Sequence, residues 1–217
     1  MTLDELTRDA AAQALVIHGG FAPTPADAAP EGAACVLMIG PDEPAFWEVF
    51  KGSGEYTDGE PHPLDRWSKR VIGALANHWG GDAVFPYDGP PYAPFIRWAE
   101  ATSRAHPSPT GLLVHDTAGL FISFRGAVVL PYPVALPQSP PKPCLSCETK
   151  PCETACPVGA LAPGQPYDVP KCQAYMRSPQ GQDCKNGCLV RRACPVSQQF
   201  GRRAEQSAFH MSAFLGE

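Results

Sequence analysis

The sequence predicts an α+β fold, and three observations carry that expectation. Short apolar runs alternate with stretches of helical spacing through the first 130 residues. Proline, 26 of the 217 residues, is more than twice its usual share of about 5% and concentrates in one segment. Eight of the nine cysteines then fall within the 51 residues that follow that segment.

The elements can be justified in chain order. Thr2 and Glu5 have the spacing of a capping box, and Leu3, Leu6 and Ala10 share a face of the helix it opens. The runs ALVI (14–17) and CVLMI (35–39) read as buried strands. Cys35, inside the second run, reads as a small buried hydrophobe. Leu64, Trp67, Val71, Ile72, Leu75 and Trp79 recur at helical spacing, with Pro63 at the start and Gly80-Gly81 at the stop. Val84-Phe85 forms a short strand, and PFIRWAEATSRA (94–105) a helix that buries Phe95, Trp98 and Ala99. GLLVHDTAGLFISFRGAVVL (111–130) reads as a hairpin around a turn at Asp116–Gly119. Helices and strands mixed in this way give an α+β domain over residues 1–130.

The segment 131–143, PYPVALPQSPPKP, is the expected linker. Proline lacks an amide donor and breaks helices, so a run of prolines marks irregular chain. A cysteine-rich module follows over 144–199, and 200–217 forms a tail. In that tail Phe209, Ala213 and Phe214 share a helical face suited to docking on the body.

Composition excludes several classes. No run approaches the roughly 18 apolar residues of a membrane span. No long Lys/Arg run is interleaved with aromatics, which argues against nucleic acid. The N-terminus MTLDELTRDAAAQAL lacks the basic start and apolar core of a secretory signal. A cytoplasmic protein is therefore expected, in which thiols stay reduced and serve as ligands. The formal charge of −5 is uneven: residues 1–60 carry 11 acidic and 2 basic side chains, and 61–217 carry 11 and 15. Lys185, Arg191, Arg192, Arg202 and Arg203 cluster among and after the last cysteines. Cations there offset anionic clusters or dock an acidic redox partner.

The cysteines carry the strongest signal. Cys144, Cys147, Cys152 and Cys156 are spaced C-x2-C-x4-C-x3-C-P, and Cys172, Cys184, Cys188 and Cys194 are spaced C-x11-C-x3-C-x5-C-P. The bacterial ferredoxin run is C-x2-C-x2-C-x3-C-P, and its fourth cysteine ligates the other cluster. Three occupants compete for these thiols. Two [4Fe-4S] clusters need eight thiolates in two sets. Structural zinc also accepts four thiolates but usually pairs two short knuckles across a spacer. Disulfides are disfavoured by the compartment.

The hairpin, the proline-rich link and CLSCETKPCETACPVGAL…DVPKCQAYM…GQDCKNGCLVRRACPV together resemble a stretch of epoxyqueuosine reductases and corrinoid-dependent reductive dehalogenases. The resemblance covers about 111–196. It implies a nitroreductase-like N-terminal domain that holds a corrinoid (cobalamin), followed by a two-cluster ferredoxin-like module that feeds it electrons. It also implies a ligand partition in which the last cysteine of each group crosses over. One cluster would sit on Cys144, Cys147, Cys152 and Cys194, the other on Cys156, Cys172, Cys184 and Cys188. The chain closes soon after the second group, without the helical-repeat tail of the queuosine enzymes, so a tRNA-modifying role is not expected. GPDEPAFWEVF, HPLDRWSKRVIGALA, FPYDGPPYAPFIRWAE and SPTGLLVHDTAGL are also similar to bacterial proteins labelled simply as ferredoxins.

Outside the cysteines, His115, Asp116 and Arg125 on the expected hairpin could orient a substrate or an anionic cofactor group. The plainer reading is a turn aspartate bonded to its own backbone and a surface arginine. Tyr87, Asp88, Tyr92 and Trp98 form an aromatic-rich, proline-stiffened stretch that either lines a pocket for a flat macrocycle or packs over its own core. Two functions follow from these expectations. Either the clusters pass electrons to an acceptor held by the N-terminal domain, or the chain is a stand-alone carrier whose N-terminal domain binds only a redox partner protein. A third possibility is metal that merely pins the C-terminal fold.

Overall fold

The computed structural model describes residues 1–216. In chain order it places α1 (Leu3–Ala11), β1 (Leu15–Phe21), β2 (Cys35–Pro41), α2 (Ala45–Lys51) and α3 (Gly54–Thr57). Then come α4 (Pro63–His78), β3 (Asp82–Val84), α5 (Phe95–Ala101), β4 (Ala105–Pro107), β5 (Leu113–His115) and β6 (Gly126–Leu130). The cysteine-rich part contains α6 (Val169–Arg177), α7 (Gln182–Lys185), α8 (Leu189–Ala193), α9 (Pro195–Gln199) and α10 (Ala204–Leu215). The fold is thus mixed, with small antiparallel sheets. No helix among the described residues is long and apolar enough to cross a membrane.

The chain divides into two compact units. The first comprises Met1–Arg104 and Ser123–Ser139. Its four-stranded sheet has the order β1-β2-β6-β3, antiparallel throughout. Every residue of β2 and β6 is buried, which is why both read as unbroken apolar runs rather than as alternating strands. Cys35 is among them, and burial pushes its thiol up. The capping box at Thr2 and Glu5 forms as the spacing predicts, and α1 buries Leu6 and Ala10. Pro63 opens α4, and Gly80 follows its end in left-handed backbone. All four tryptophans, Trp47, Trp67, Trp79 and Trp98, are buried here, each side chain contributing about 1.5–3 kcal/mol. The short helices α2 and α3 were not legible in the pattern. They exist because Phe46, Trp47 and Phe50 collapse with Tyr56 and Trp67 into one aromatic cluster.

The second unit comprises Ala105–Ile122 and the chain from Pro140 onward. The hairpin expected over 111–130 does not form. β5 pairs with β4, from Ala105↔His115 to Pro107↔Leu113, whereas β6 pairs with β2 and β3. The apolar runs were real strands, but the intervening turn does not fold one back on the other. It closes on itself through a bridge between His115 and Gly119. The remainder is short helices around two small apolar clusters. One contains Val114, Leu120, Cys152, Leu161, Val190 and Cys194; the other contains Met176, Cys184 and Leu215. The tail is helical as expected, but its buried face differs. Met211 and Phe214 pack on the second cluster, Ser207 and Leu215 are buried and Ala213 is exposed. Positions 207, 211, 214 and 215 form the i, i+4, i+7, i+8 stripe of a docked helix.

Candidate functional site

Two cavities in the second unit are each lined by four thiols. The first, of about 310 Å³, is lined by Cys144, Cys147, Cys152 and Cys194. Cys144 lies in a single 3-10 turn, Pro143–Leu145, Cys152 lies in a second, Pro151–Glu153, and Cys194 caps α9. Each of these turns has proline at its first position, where the fixed φ suits the turn and the missing N–H is an orphan anyway. Short proline-started turns let closely spaced thiols face a common volume.

The wall opposite these thiols is the β4–β5 ribbon and its turn. Val114 and Leu120 line the cavity directly. The His115 ring, fully buried, caps the turn: its Nδ1 lies 3.2 Å from the Thr117 amide and 3.3 Å from the Ala118 amide. Asp116 Oδ1 is 2.9 Å from the same nitrogen. Nδ1 cannot accept from the amides and donate to the carboxylate at once, and either arrangement holds the same turn. Three contacts then fix the turn to the last helices. The Leu120 amide donates to Ser197 Oγ at 2.8 Å, Arg202 donates to the Phe121 carbonyl at 3.1 Å, and Arg191 donates to the Leu120 carbonyl.

The second cavity, of about 30 Å³, is lined by Cys156, Cys172, Cys184 and Cys188. Cys172 lies on α6, Cys184 on α7, and Cys188 caps α8. The Ala160 amide donates to Cys156 Sγ at 3.2 Å. Met176, Met211 and Tyr167 complete the wall, and the methionines are side chains that adapt to what they enclose. Helix α10 closes this site. Its end is anchored where Gln173 donates to the Phe214 carbonyl at 2.8 Å and Arg177 to the Leu215 carbonyl at 3.0 Å.

Electrostatics follow the same partition. Burial, then Cys144, Cys194 and Cys147, pushes the Cys152 thiol up to about 11. Burial, then Cys194 and Cys147, raises Cys144. Burial raises Cys172, with Cys188 and Cys156 adding to it, and raises Cys184, with Cys188, Cys172 and Cys156 adding. Each set therefore resists becoming four thiolates unless cationic metal accompanies it. The Arg191 guanidinium is lowered by burial, against which Cys188 and Tyr167 act. Of the basic side chains singled out in the sequence, Arg192 instead pairs with Asp183 at 2.9 Å.

All nine cysteines are free. Among the described residues no group of three or more His, Cys, Asp or Glu side chains converges on a single-ion site. The donors in each cavity are of the kind that suits a thiolate-ligated group: Cys144, Cys147, Cys152 and Cys194 would hold one, and Cys156, Cys172, Cys184 and Cys188 the other.

Of the remaining candidates, Tyr87 and Arg125 meet at Asp65, while Tyr92 and His115 lie apart from them. In the first unit, Tyr87 donates to the Asp65 carbonyl at 2.8 Å and stacks on Phe85, while Arg125 pairs with the Asp65 carboxylate and reaches Ser68 Oγ. Tyr92 is 62% exposed. His115 belongs to the second unit. Sequence reasoning missed Tyr167, on the wall of the second cavity, and Ser197, which meets the turn at Gly119; neither stands at a motif spacing from the cysteines. Compared with known proteins, the chain matches no family model, no curated protein and no solved structure.

Proposed function

We propose that the chain is an iron-sulfur redox protein that binds two [4Fe-4S] clusters through its eight C-terminal cysteines and transfers electrons. The observation that carries this reading is the sorting of those cysteines around two cavities. Each cavity takes three thiols from one sequence group and one from the other, the crossing-over typical of two-cluster ferredoxins. A zinc ion would need its four sulfurs within about 2.3 Å of one point, whereas thiols around a cavity suit a polynuclear group. When bound, such clusters supply one-electron carriage over a wide range of potential. The chain's part is to provide the thiolates, to exclude water with Val114, Leu120 and α10, and to place the Ala160 amide against the Cys156 sulfur.

The acceptor follows from the resemblance: a nitroreductase-like first unit that holds a corrinoid. The engagement of Tyr87 and Arg125 with Asp65 favours a second reading, in which that unit recognises a redox partner protein instead. Anaerobic addition of cobalamin separates the two, because a retained corrinoid with a changed spectrum is expected only from the first.

The ligand sets are tested by single substitutions in anaerobically reconstituted protein. Cys152→Ala and Cys194→Ala are expected to abolish one of two paramagnetic signals, and Cys156→Ala and Cys184→Ala the other, each with loss of about half the iron. A colourless protein that retains zinc would overturn the proposal. Loss of the same signal from Cys152→Ala and Cys156→Ala would overturn the partition.

A further inference from the structure

One apolar cluster in the second unit belongs to both cysteine sites. Its buried members include Val114 and Leu120, which line the first cavity, and Leu161 and Val190, which line the second. None of the four is more than 4% exposed. Thiols of both sets meet it: Cys152 and Cys194 are members, and Cys156 and Cys188 pack against it. The four aliphatic side chains therefore form a partition that the two cavities share. Helix α8 runs from one set to the other, with Cys188 as its N-cap and Cys194 as its C-cap. Its five residues set the two caps about 9 Å apart along the axis. Val190 lies on that helix, and Arg191 ties the helix to the Leu120 carbonyl on the other face of the partition.

We propose that Val190 and Leu161 are positioning residues shared by both sites, which keep the partition dry and so hold both reduction potentials low together. This rests on the reading of two clusters given above. Each site takes one electron from an external reductant, and hydrocarbon side chains supply neither a proton nor a hydrogen bond to balance the added charge. Charge placed against an apolar, water-free wall is poorly stabilised, and cluster potentials follow solvent exposure and hydrogen bonding to sulfur. Leu189, next to Val190 on the same helix, lines the second cavity and packs against the other apolar cluster, so it acts on one site. Val190 and Leu161 act on both. The consequence is a chain suited to deliver two electrons in sequence at low potential.

The test is potentiometric titration of the full-length, anaerobically loaded protein, with paramagnetic resonance following each signal separately. Val190→Thr replaces a methyl by a hydroxyl at nearly constant volume, and Leu161→Gln places an amide in the same partition. Each should move both signals to higher potential by about threefold or more in the reduction equilibrium, roughly 28 mV for one electron. Leu189→Gln makes the same chemical change off the partition and should move only the signal lost in Cys184→Ala. Unchanged potentials, or a shift of one signal alone, in a loaded partition variant would overturn the shared role. So would an equal shift of both signals by Leu189→Gln. Wild-type protein supplies a measurement free of folding effects, which decides the matter if neither partition variant loads. At full reduction each signal should gain a splitting from the other, absent from Cys152→Ala and Cys184→Ala. Two signals that never interact would place the sites too far apart for one partition to serve both. A wild-type protein that takes up no iron would instead remove the two-cluster reading beneath the proposal.

Discussion

At the residue scale, the stretch HDTAG is explained by packing. Gly119 has φ +57°, and a Cβ there would meet Ser197 N at 2.4 Å and Ser197 Oγ at 2.5 Å. Only glycine lets the turn come down on the start of α9, where Leu120 N finds its acceptor and Cys194 caps the helix. His115, a candidate proton donor by type, is buried as the cap of that turn. Gly119→Ala should therefore destabilise the second unit by about 2 kcal/mol, from left-handed strain and the clash together. The loss should fall first on the cysteine set it walls. In the loaded protein, the signal dependent on Cys152 should bleach before the signal dependent on Cys184. Adding Ser197→Gly should recover part of the loss, because it removes the Oγ side of the collision. Equal bleaching of both signals would show that the turn does not serve the first site.

At the scale of elements, what could be read from the chain depended on whether the governing contacts were local. The α1 capping box, α4 with its proline start and glycine stop, and the apolar runs of β1 and β2 carry their own signals. The two groups of C-terminal cysteines were legible for the same reason, since their spacing is a property of nearby chain. The partners of β6 were not, because pairing with β2 and β3 is set by distant packing, and β5 was assigned to β6 because its true partner, the three-residue β4 just before it, carries no strand pattern of its own. The helices α2 and α3 were missed because they are held by an aromatic cluster rather than by propensity. The tail was read as a helix with a partly wrong face: of Phe209, Ala213 and Phe214, only Phe214 packs toward Met176 and Cys184, together with Met211 and Leu215, while Ala213 is exposed. That correction makes a prediction. Leu215→Ala should cost about 2–3 kcal/mol in chemical denaturation and speed air bleaching of the signal dependent on Cys184. Ala213→Glu, on the exposed side, should leave both measurements unchanged. A larger effect from Ala213 than from Leu215 would reverse the assignment of the face.

At the scale of the whole molecule, the two units draw on different sources of stability. The first has a four-stranded sheet with two fully buried strands, β2 and β6, a 16-residue helix and all four tryptophans. The second is built from short helices, of which α7, α8 and α9 have only 4, 5 and 5 residues and α6 and α10 have 9 and 12, at or below the roughly 12–15 residues an isolated helix needs. Its apolar clusters include cysteines as members, so their packing depends on what those thiols hold. On the proposed two-cluster reading, metal binding in such a segment would be folding free energy rather than decoration on a finished fold. Removing iron by chelation should therefore act on one unit. Amide-exchange protection over 105–122 and 140–216 is expected to collapse, while protection of β2 and β6 persists. Tryptophan emission, which reports only the first unit, should keep its denaturation midpoint. If the tryptophan transition instead moves with the iron content, the first unit draws on the second for its stability, and the loaded cysteine sites are part of what keeps the sheet folded.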